Sequence, residues 1–146
     1  MNENESIEIL LVEDNPDDAE LTLHALRERK LANRIRVARD GIEALDVLFG
    51  NLASGTKACV PRLILLDLKM PKLSGLEVLE RIRADPRTAS LPVVVLSSSR
   101  EDRDIEQAYR LGANSYIVKP VEFETFVKAV GEVGLYWMVL NQWPRD

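Results

Sequence analysis

The strongest constraint on the fold is a series of short aliphatic runs that alternate with longer segments of helical periodicity. Ile9–Val12, Leu63–Leu66 and Val93–Leu96 contain no polar residue, so each is expected to be a strand buried on both faces. Strands of this kind, separated by amphipathic helices, are typical of right-handed βαβ units with parallel pairing. The sequence therefore predicts an α/β protein built on a central parallel sheet.

The alternation predicts five strands and five helices. Asn51–Pro61 has the composition of a loop, and Gly131 and Gly134 each cost the last helix about 1 kcal/mol relative to alanine. The expected strands are Ile7–Val12, Arg34–Ala38, Arg62–Asp67, Leu91–Ser99 and Ser115–Pro120, and the expected helices are Pro16–Lys30, Gly41–Gly50, Gly75–Asp85, Glu101–Ala113 and Glu122–Gln142.

Length and charge limit the classes of function. A chain of 146 residues is long enough for one domain with a substantial core, and we expect one domain over 1–146 with an extended C-terminal tail over 134–146. The net charge of −5 disfavours general nucleic-acid binding, which usually needs a basic surface. Arg27–Lys30 with Arg34, Arg36 and Arg39 forms a basic cluster, which we interpret as a solvated helix end and strand edge.

Cysteine content and hydropathy predict a cytoplasmic location. The only cysteine is Cys59, so a disulfide within the chain is impossible and the sequence suits a reducing compartment. The first residues lack the basic and apolar regions of a signal peptide, and no apolar run approaches the roughly 20 residues of a membrane span.

Acidic and polar residues follow the predicted strands. Glu13 and Asp14 come after the first strand, Asp67 ends the third, Ser97 ends the fourth and Lys119 ends the fifth. In open parallel sheets, ligands bind outside the carboxyl ends of the strands, where the strand order reverses. If the first and third strands are neighbours, three carboxylates, a hydroxyl and an ammonium group converge at one edge.

Such a cluster favours metal-assisted phosphoryl chemistry. Three adjacent carboxylates repel one another unless a cation neutralises them, and Mg²⁺ prefers oxygen ligands. A carboxylate can itself be the nucleophile that forms an aspartyl phosphate. Taken singly, Asp14 and Ser97 could be helix caps and Lys119 a surface residue. Their occurrence together at the ends of four strands favours the functional interpretation.

Four motifs in this order and spacing carry a resemblance to a known family: the acidic pair in VEDN, then LLDLKMP, VVVLSSS and GANSYIVKP. The chain resembles the receiver domain of bacterial two-component response regulators over nearly its whole length. The resemblance implies a flavodoxin-like fold with strand order 2-1-3-4-5 and helices on both faces. It also implies a phosphoacceptor signalling protein in a phosphorelay, not an enzyme, with slow loss of its own phosphoryl group.

The resemblance assigns a phosphoacceptor and a metal site. Asp67 would accept the phosphoryl group. Asp14 and Asp67 would bind Mg²⁺ together with the backbone carbonyl of Lys69, and Glu13 would act through a bound water.

The resemblance also assigns residues that respond to phosphorylation. Ser97 would hydrogen-bond the phosphoryl oxygens, and Lys119 would pair first with the Asp67 carboxylate and then with the phosphate. Tyr116 would be a rotameric switch that turns inward when Ser97 moves. The Lys119–Pro120 peptide would often be cis, which X–Pro bonds permit at modest cost.

Three further features resemble single-domain regulators that partner bacterial phytochrome histidine kinases. They are the segment NPDDAELTLHAL, the longer segment before Asp67, and the tail YWMVLNQWP. The implied partner is a sensor histidine kinase of phytochrome type.

Two other functions compete with phosphoacceptor signalling. A Mg²⁺-dependent phosphohydrolase of haloacid-dehalogenase type would carry DxD after the first strand, whereas this chain has EDN there and DLK after the third. A transcription factor needs a DNA-binding element, and no helix-turn-helix pattern fits the residues after Pro120. The lone histidine, His24, is interpreted as a surface or partner-facing residue, not a phosphorelay histidine.

The last helix is expected to form an interaction surface. Its first part has apolar residues at helical spacing, and packing against the sheet accounts for most of these. The later residues are apolar on several sides, and one small domain cannot bury them all. We expect a homodimer, or alternatively a kinase-docking surface, at this helix and its neighbouring strand. The apolar residues are Phe123, Phe126, Val127, Val130 and Val133, followed by Tyr136–Leu140 and Trp143.

Overall fold

A computed structural model describes residues 7–30, 34–119 and 122–142 of the chain. The described elements alternate between strand and helix from one end to the other. The strands are β1 (Ile9–Val12), β2 (Ile35–Ala38), β3 (Leu63–Leu66), β4 (Val93–Ser97) and β5 (Ser115–Val118), and the helices are α1 (Pro16–Glu28), α2 (Gly41–Phe49), α3 (Gly75–Ala84), α4 (Asp102–Arg110) and α5 (Phe123–Leu135).

The five strands form one parallel sheet in the order β2-β1-β3-β4-β5. The strand order reverses between β1 and β3, so the loops after these two strands diverge and leave a crevice at their carboxyl ends. In the register, Val12 lies opposite both Ala38 and Leu66, and Leu66 lies opposite Val95. The strands therefore end at nearly the same level, and this confirms the predicted flavodoxin-like topology.

Alternate residues of each central strand enter two separate hydrophobic layers. In β1, Leu10 and Val12 face the layer under α2, α3 and α4, whereas Ile9 and Leu11 face the layer under α1 and α5. β3 and β4 follow the same alternation, and all four central-strand residues named here are 0–1% exposed. Burial on both faces explains why these strands are unbroken aliphatic runs in the sequence.

Side-chain caps fix where α1, α2 and α3 start beyond the strands. The Asn15 side chain accepts hydrogen bonds from the backbone N–H groups of Asp17 and Asp18 at the start of α1. Ser74 caps α3 in the same way through the Glu77 N–H. Such caps satisfy N–H groups that have no partner within the helix, so they hold the strand-to-helix loops in place.

Most predicted boundaries shift by one to three residues, since helix and strand ends lie in loops with no periodicity. The largest difference is at the C-terminus, where the predicted helix over Glu122–Gln142 is helical from Phe123 to Leu140 but changes its hydrogen bonding after Leu135. α5 ends at Leu135 and a π-helical turn occupies Tyr136–Leu140, closed by the Asn141 N–H to the Tyr136 carbonyl at 2.7 Å. Periodicity does not distinguish a π turn from an α turn.

α1 and α5 pack against each other on one face of the sheet, and Gly131 lies at their contact. A Cβ atom at Gly131 would come within 2.9 Å of the Arg29 side chain, so the glycine makes room for that arginine.

The predicted cis peptide at Lys119–Pro120 and the apolar residue Trp143 lie outside the described residues. Among the helices described, none combines the length and apolar character needed to cross a membrane.

Candidate phosphoacceptor and metal site

Three carboxylates meet at the crevice between β1 and β3. Oxygens of Glu13, Asp14 and Asp67 all lie within 4.8 Å of one another. The Asp67 N–H bonds the Val12 carbonyl at 3.0 Å, so the β1–β3 ladder continues one residue beyond the strands and brings the acids together. Glu13 and Asp67 are buried, whereas Asp14 is exposed.

Lys119 supplies the positive charge of this cluster. Its Nζ lies 2.5 Å from Glu13 Oε1, 2.9 Å from Asp18 Oδ2 and 3.8 Å from Asp67 Oδ2. The Lys119 N–H bonds the Ser97 carbonyl at 2.8 Å, which fixes the backbone from which the side chain reaches over the crevice. The ammonium group is therefore closest to Glu13 and Asp18, and only at ion-pair distance from Asp67.

Burial and mutual repulsion change the acidity of these groups. Burial raises the pKa of Glu13 from its usual value near 4.5 to about 7, against the opposing effect of the Lys119 ammonium. Burial also raises the pKa of Asp67, and Lys119 opposes it. Burial alone would lower the pKa of Lys119, but its hydrogen bonds to Glu13 and Asp18, together with the negative charges of Asp67 and Glu13, outweigh burial and raise it. The cluster holds more negative charge than one ammonium can neutralise.

The loop after β3 contacts both the carboxylate and the backbone of Asp67. A backbone hydrogen bond from Lys69 reaches the Asp67 carboxylate and favours its ionised form. A Cβ atom at Gly75 would lie 2.1 Å from the Asp67 carbonyl oxygen, so only glycine fits there and α3 starts directly against the acid. The Lys69 carbonyl remains a predicted metal ligand.

A chain of hydrogen bonds leads away from Ser97. The Ser99 N–H donates to Ser97 Oγ at 3.1 Å, and Tyr116 Oη donates to the Ser99 carbonyl at 3.0 Å. Ser99 Oγ also donates to Asp104 Oδ2, in the first turn of α4, at 2.5 Å. Ser97 is fully buried and Tyr116 is half-buried against the core. These hydrogen bonds connect Ser97, through Ser99, to Tyr116 and to the start of α4.

Sequence reasoning misses two groups in this region. An acid in the first turn of a helix is favourable in any fold, and a serine before a helix is commonly a cap, so neither Asp18 nor Ser99 stands out in the sequence. In the structure, Thr22 and Leu26 follow Asp18 at intervals of four and are both buried, so Asp18 lies on the side of α1 that faces the sheet. The contact with Lys119 itself depends on the strand order.

The fold and this cluster agree with the comparison to known proteins. The sequence model of the response regulator receiver domain matches residues 9–131. The chain therefore belongs to the family of response regulator receiver domains, which is a signalling family and not a class of conventional enzymes. The predicted membership in this family is confirmed.

Three relatives show which kinds of regulator the chain resembles. The probable methanogenesis regulatory protein FilR2 of Methanothrix harundinacea is 43% identical over 136 residues, which cover 93% of this chain and 86% of that protein. The phosphorylated cyanobacterial phytochrome response regulator RcpA is 37% identical with a TM-score of 0.85, and the match covers 96% and 99% of the two chains. The Mn²⁺-bound form of Rcp1, a response regulator of Synechocystis, is 32% identical with a TM-score of 0.84 and covers 95% and 99%. The predicted likeness to phytochrome-associated regulators is thus confirmed.

The residues present fit a divalent cation. Receiver domains bind a divalent metal, and Rcp1 holds Mn²⁺ in its solved form. Here three carboxylate oxygens converge on one point, and hard cations such as Mg²⁺ and Mn²⁺ favour oxygen ligands of this kind. Because Asp14 is exposed, this point is open to solvent. Such access is what Mg²⁺ needs, since it usually keeps several of its water ligands.

The raised pKa of Glu13 predicts how stability depends on pH without metal. Because the folded pKa is about 7 and the usual one near 4.5, the stabilisation from protonated Glu13 is complete below pH 4.5 and is lost as pH rises through 7. Glu13→Gln should remove this loss, so its stability relative to wild type should increase by up to about 3 kcal/mol between these pH values. Urea denaturation of both proteins in EDTA measures the difference.

The exposed Glu20 provides the control, since Glu20→Gln should keep a constant difference from wild type across the same range. Saturating Mg²⁺ should reverse the trend for wild type, because the metal binds the ionised carboxylates and stabilises the fold more at higher pH. A pH-independent difference between Glu13→Gln and wild type would contradict the assignment.

Proposed function

We propose that the protein is a response regulator that accepts a phosphoryl group on Asp67 from a sensor histidine kinase. The observation that carries this proposal is the position of Asp67. Asp67 directly follows the central strand β3, and its carboxylate belongs to the cluster of three acids that could hold a metal ion. The Lys119 ammonium lies 3.8 Å from this carboxylate. A nucleophile for phosphoryl transfer needs this combination, because the reaction depends mainly on positioning and on neutralising charge.

In the proposed reaction an Asp67 oxygen forms a bond to phosphorus as the bond between phosphorus and the donor's histidine nitrogen breaks. The nitrogen keeps the electron pair, and the product is an acyl phosphate on Asp67. Asp14, Asp67 and the Lys69 carbonyl would hold Mg²⁺, with Glu13 acting through water, and the ion would supply positive charge to the phosphoryl oxygens.

Lys119 and Ser97 would contact the new phosphoryl group. Hydrogen bonds from an ammonium or hydroxyl to a charged oxygen are among the stronger ones, so they can draw Ser97 toward Asp67. The hydrogen bond from the Ser99 N–H to Ser97 Oγ would carry this movement to Tyr116 and Asp104. Signalling would then pass through the start of α4 and the side of β5.

A phytochrome-type histidine kinase is the proposed partner, since RcpA is described as a phytochrome response regulator and matches nearly the whole chain. FilR2, which has a higher sequence identity to this chain, is described as a probable methanogenesis regulatory protein. Phosphotransfer from a panel of the host's histidine kinases would distinguish a phytochrome kinase from another kinase as the partner. Family membership favours this role over a phosphohydrolase. A cytoplasmic location suits the single cysteine, Cys59.

Asp67→Asn should abolish phosphorylation, because the amide keeps the shape of the side chain but is not a nucleophile. Acetyl phosphate with Mg²⁺ should label wild type in a form sensitive to hydroxylamine, as detected by intact-protein mass spectrometry, and EDTA should prevent the labelling. Asp17→Asn, an exposed change in α1, should be labelled like wild type. Labelling of Asp67→Asn at the wild-type level would refute the proposal.

We also propose a homodimer formed through α5 and the π-helical turn. Phe126 and Val130 are buried and so belong to the core, whereas Phe123 is half exposed. In the π turn, Met138 is buried, but Val139 and Leu140 are each 61% exposed next to the half-exposed Tyr136. Adjacent exposed apolar side chains favour an interface, and two-fold pairing is the commonest arrangement.

Glutamate at both Val139 and Leu140 should prevent this association, because charges are poorly tolerated in the apolar centre of an interface. Both side chains are exposed, so the folding of each monomer should change little. Sedimentation should show a dimer for wild type and a monomer for the double variant.

Leu52 is fully exposed in the loop after α2 and provides a matched control. Leu52→Glu makes the same chemical change away from the proposed interface and should remain dimeric. Wild-type protein that stays monomeric at high concentration, both with and without phosphorylation, would rule out the homodimer and leave kinase docking as the use of this surface.

A further inference from the structure

Asp18 is the carboxylate that joins the Lys119 ammonium to α1. Its Oδ2 accepts from Lys119 Nζ at 2.9 Å, closer than the 3.8 Å between Nζ and Asp67 Oδ2. The Lys119 side chain is 12% exposed and the Asp18 side chain 37% exposed, so water only partly screens this pair. Asp18 therefore competes with Asp67 for the same positive charge.

The position of Asp18 is fixed by its own backbone. Its N–H donates to the Asn15 cap, and its carbonyl accepts from Thr22 Oγ1 at 2.9 Å. The carboxylate thus projects from the rigid first turn of α1, not from a mobile loop. It also lies outside the cluster of three acids that fits a metal, so it can hold the ammonium without giving up a metal ligand.

We propose that Asp18 is a positioning residue that holds Lys119 on the α1 side of the crevice and thereby restrains phosphorylation of Asp67. In the unphosphorylated protein the ammonium divides its hydrogen bonds between Glu13 and Asp18. A phosphoryl group on Asp67 requires the ammonium to move toward the new oxygens, and the bond to Asp18 must then lengthen or break. Its loss opposes formation of the phosphorylated state.

The inference rests on the proposed phosphorylation of Asp67 and adds a restraint to it. Asp18→Asn removes the charge and keeps the shape, so Lys119 should be freer to reach the phosphoryl group. At saturating Mg²⁺, the initial rate of phosphorylation by acetyl phosphate and the affinity for beryllofluoride should each rise about two- to fivefold, as expected for a partly screened ion pair.

Two variants separate positioning from general charge and from structure. Asp17→Asn removes the same charge from the same turn of α1, but Asp17 is exposed and makes no ion pair with Lys119 in the part of the chain that the structure describes. It should leave rate and affinity at wild-type values. Asp18→Glu restores the charge on a longer side chain and should return both toward wild type. Asp18→Ala provides a second neutral variant if Asp18→Asn does not fold, as checked by thermal denaturation.

The outcomes are distinguishable. Faster phosphorylation and tighter beryllofluoride binding by Asp18→Asn alone would support the restraint. Equal values for wild type, Asp17→Asn and Asp18→Asn would overturn it, as would slower phosphorylation of Asp18→Asn or an equal gain in Asp17→Asn and Asp18→Asn. If wild type itself takes up neither acetyl-phosphate phosphorus nor beryllofluoride, the proposed phosphoacceptor function has failed instead.

Discussion

One ammonium group shared among three carboxylates is the interaction on which the site depends. Lys119 lies within ion-pair distance of Glu13, Asp18 and Asp67, and two of these acids are almost completely buried. Buried carboxylates without a counter-charge would lose their ionisation or destabilise the fold. A single ammonium cannot neutralise all of them, so the cluster retains a demand for positive charge. A divalent cation held at the cluster of Glu13, Asp14 and Asp67 would supply the remaining positive charge.

The parallel sheet creates this arrangement from residues far apart in the chain. Asp67 and Glu13 follow neighbouring strands, whereas Lys119 follows the edge strand and must reach across the end of β4. The same end of β4 carries Ser97, whose hydrogen bond to the Ser99 backbone connects the crevice to Tyr116 and α4. The acid cluster and the hydrogen bonds that would transmit a change in it therefore lie at the same edge of the sheet.

Periodicity and topology determine the parts of the molecule that the sequence predicts correctly. The aliphatic runs identify the strands, and the polar residues at the strand ends predict a cluster there. The structure brings together the side chains of Glu13, Asp14, Asp67 and Lys119, and Ser97 is joined to Lys119 through a backbone hydrogen bond. The π turn is not predictable in this way, because an extra residue in one turn leaves no trace in an apolar stretch. The role of Asp18 is not predictable either, because the partner of a helix acid depends on which strand end lies opposite, and a favourable place at the helix start already explains its presence.

A crystal structure with Mg²⁺ and beryllofluoride would test the central claim, which is that a mobile Lys119 balances the charge of the acid cluster. We expect beryllofluoride on Asp67, with Lys119 Nζ at hydrogen-bond distance from a fluoride and withdrawn from its 2.9 Å contact with Asp18. Beryllofluoride bound to another residue, or an ammonium that remains on Asp18 and makes no contact with the fluoride, would contradict the account.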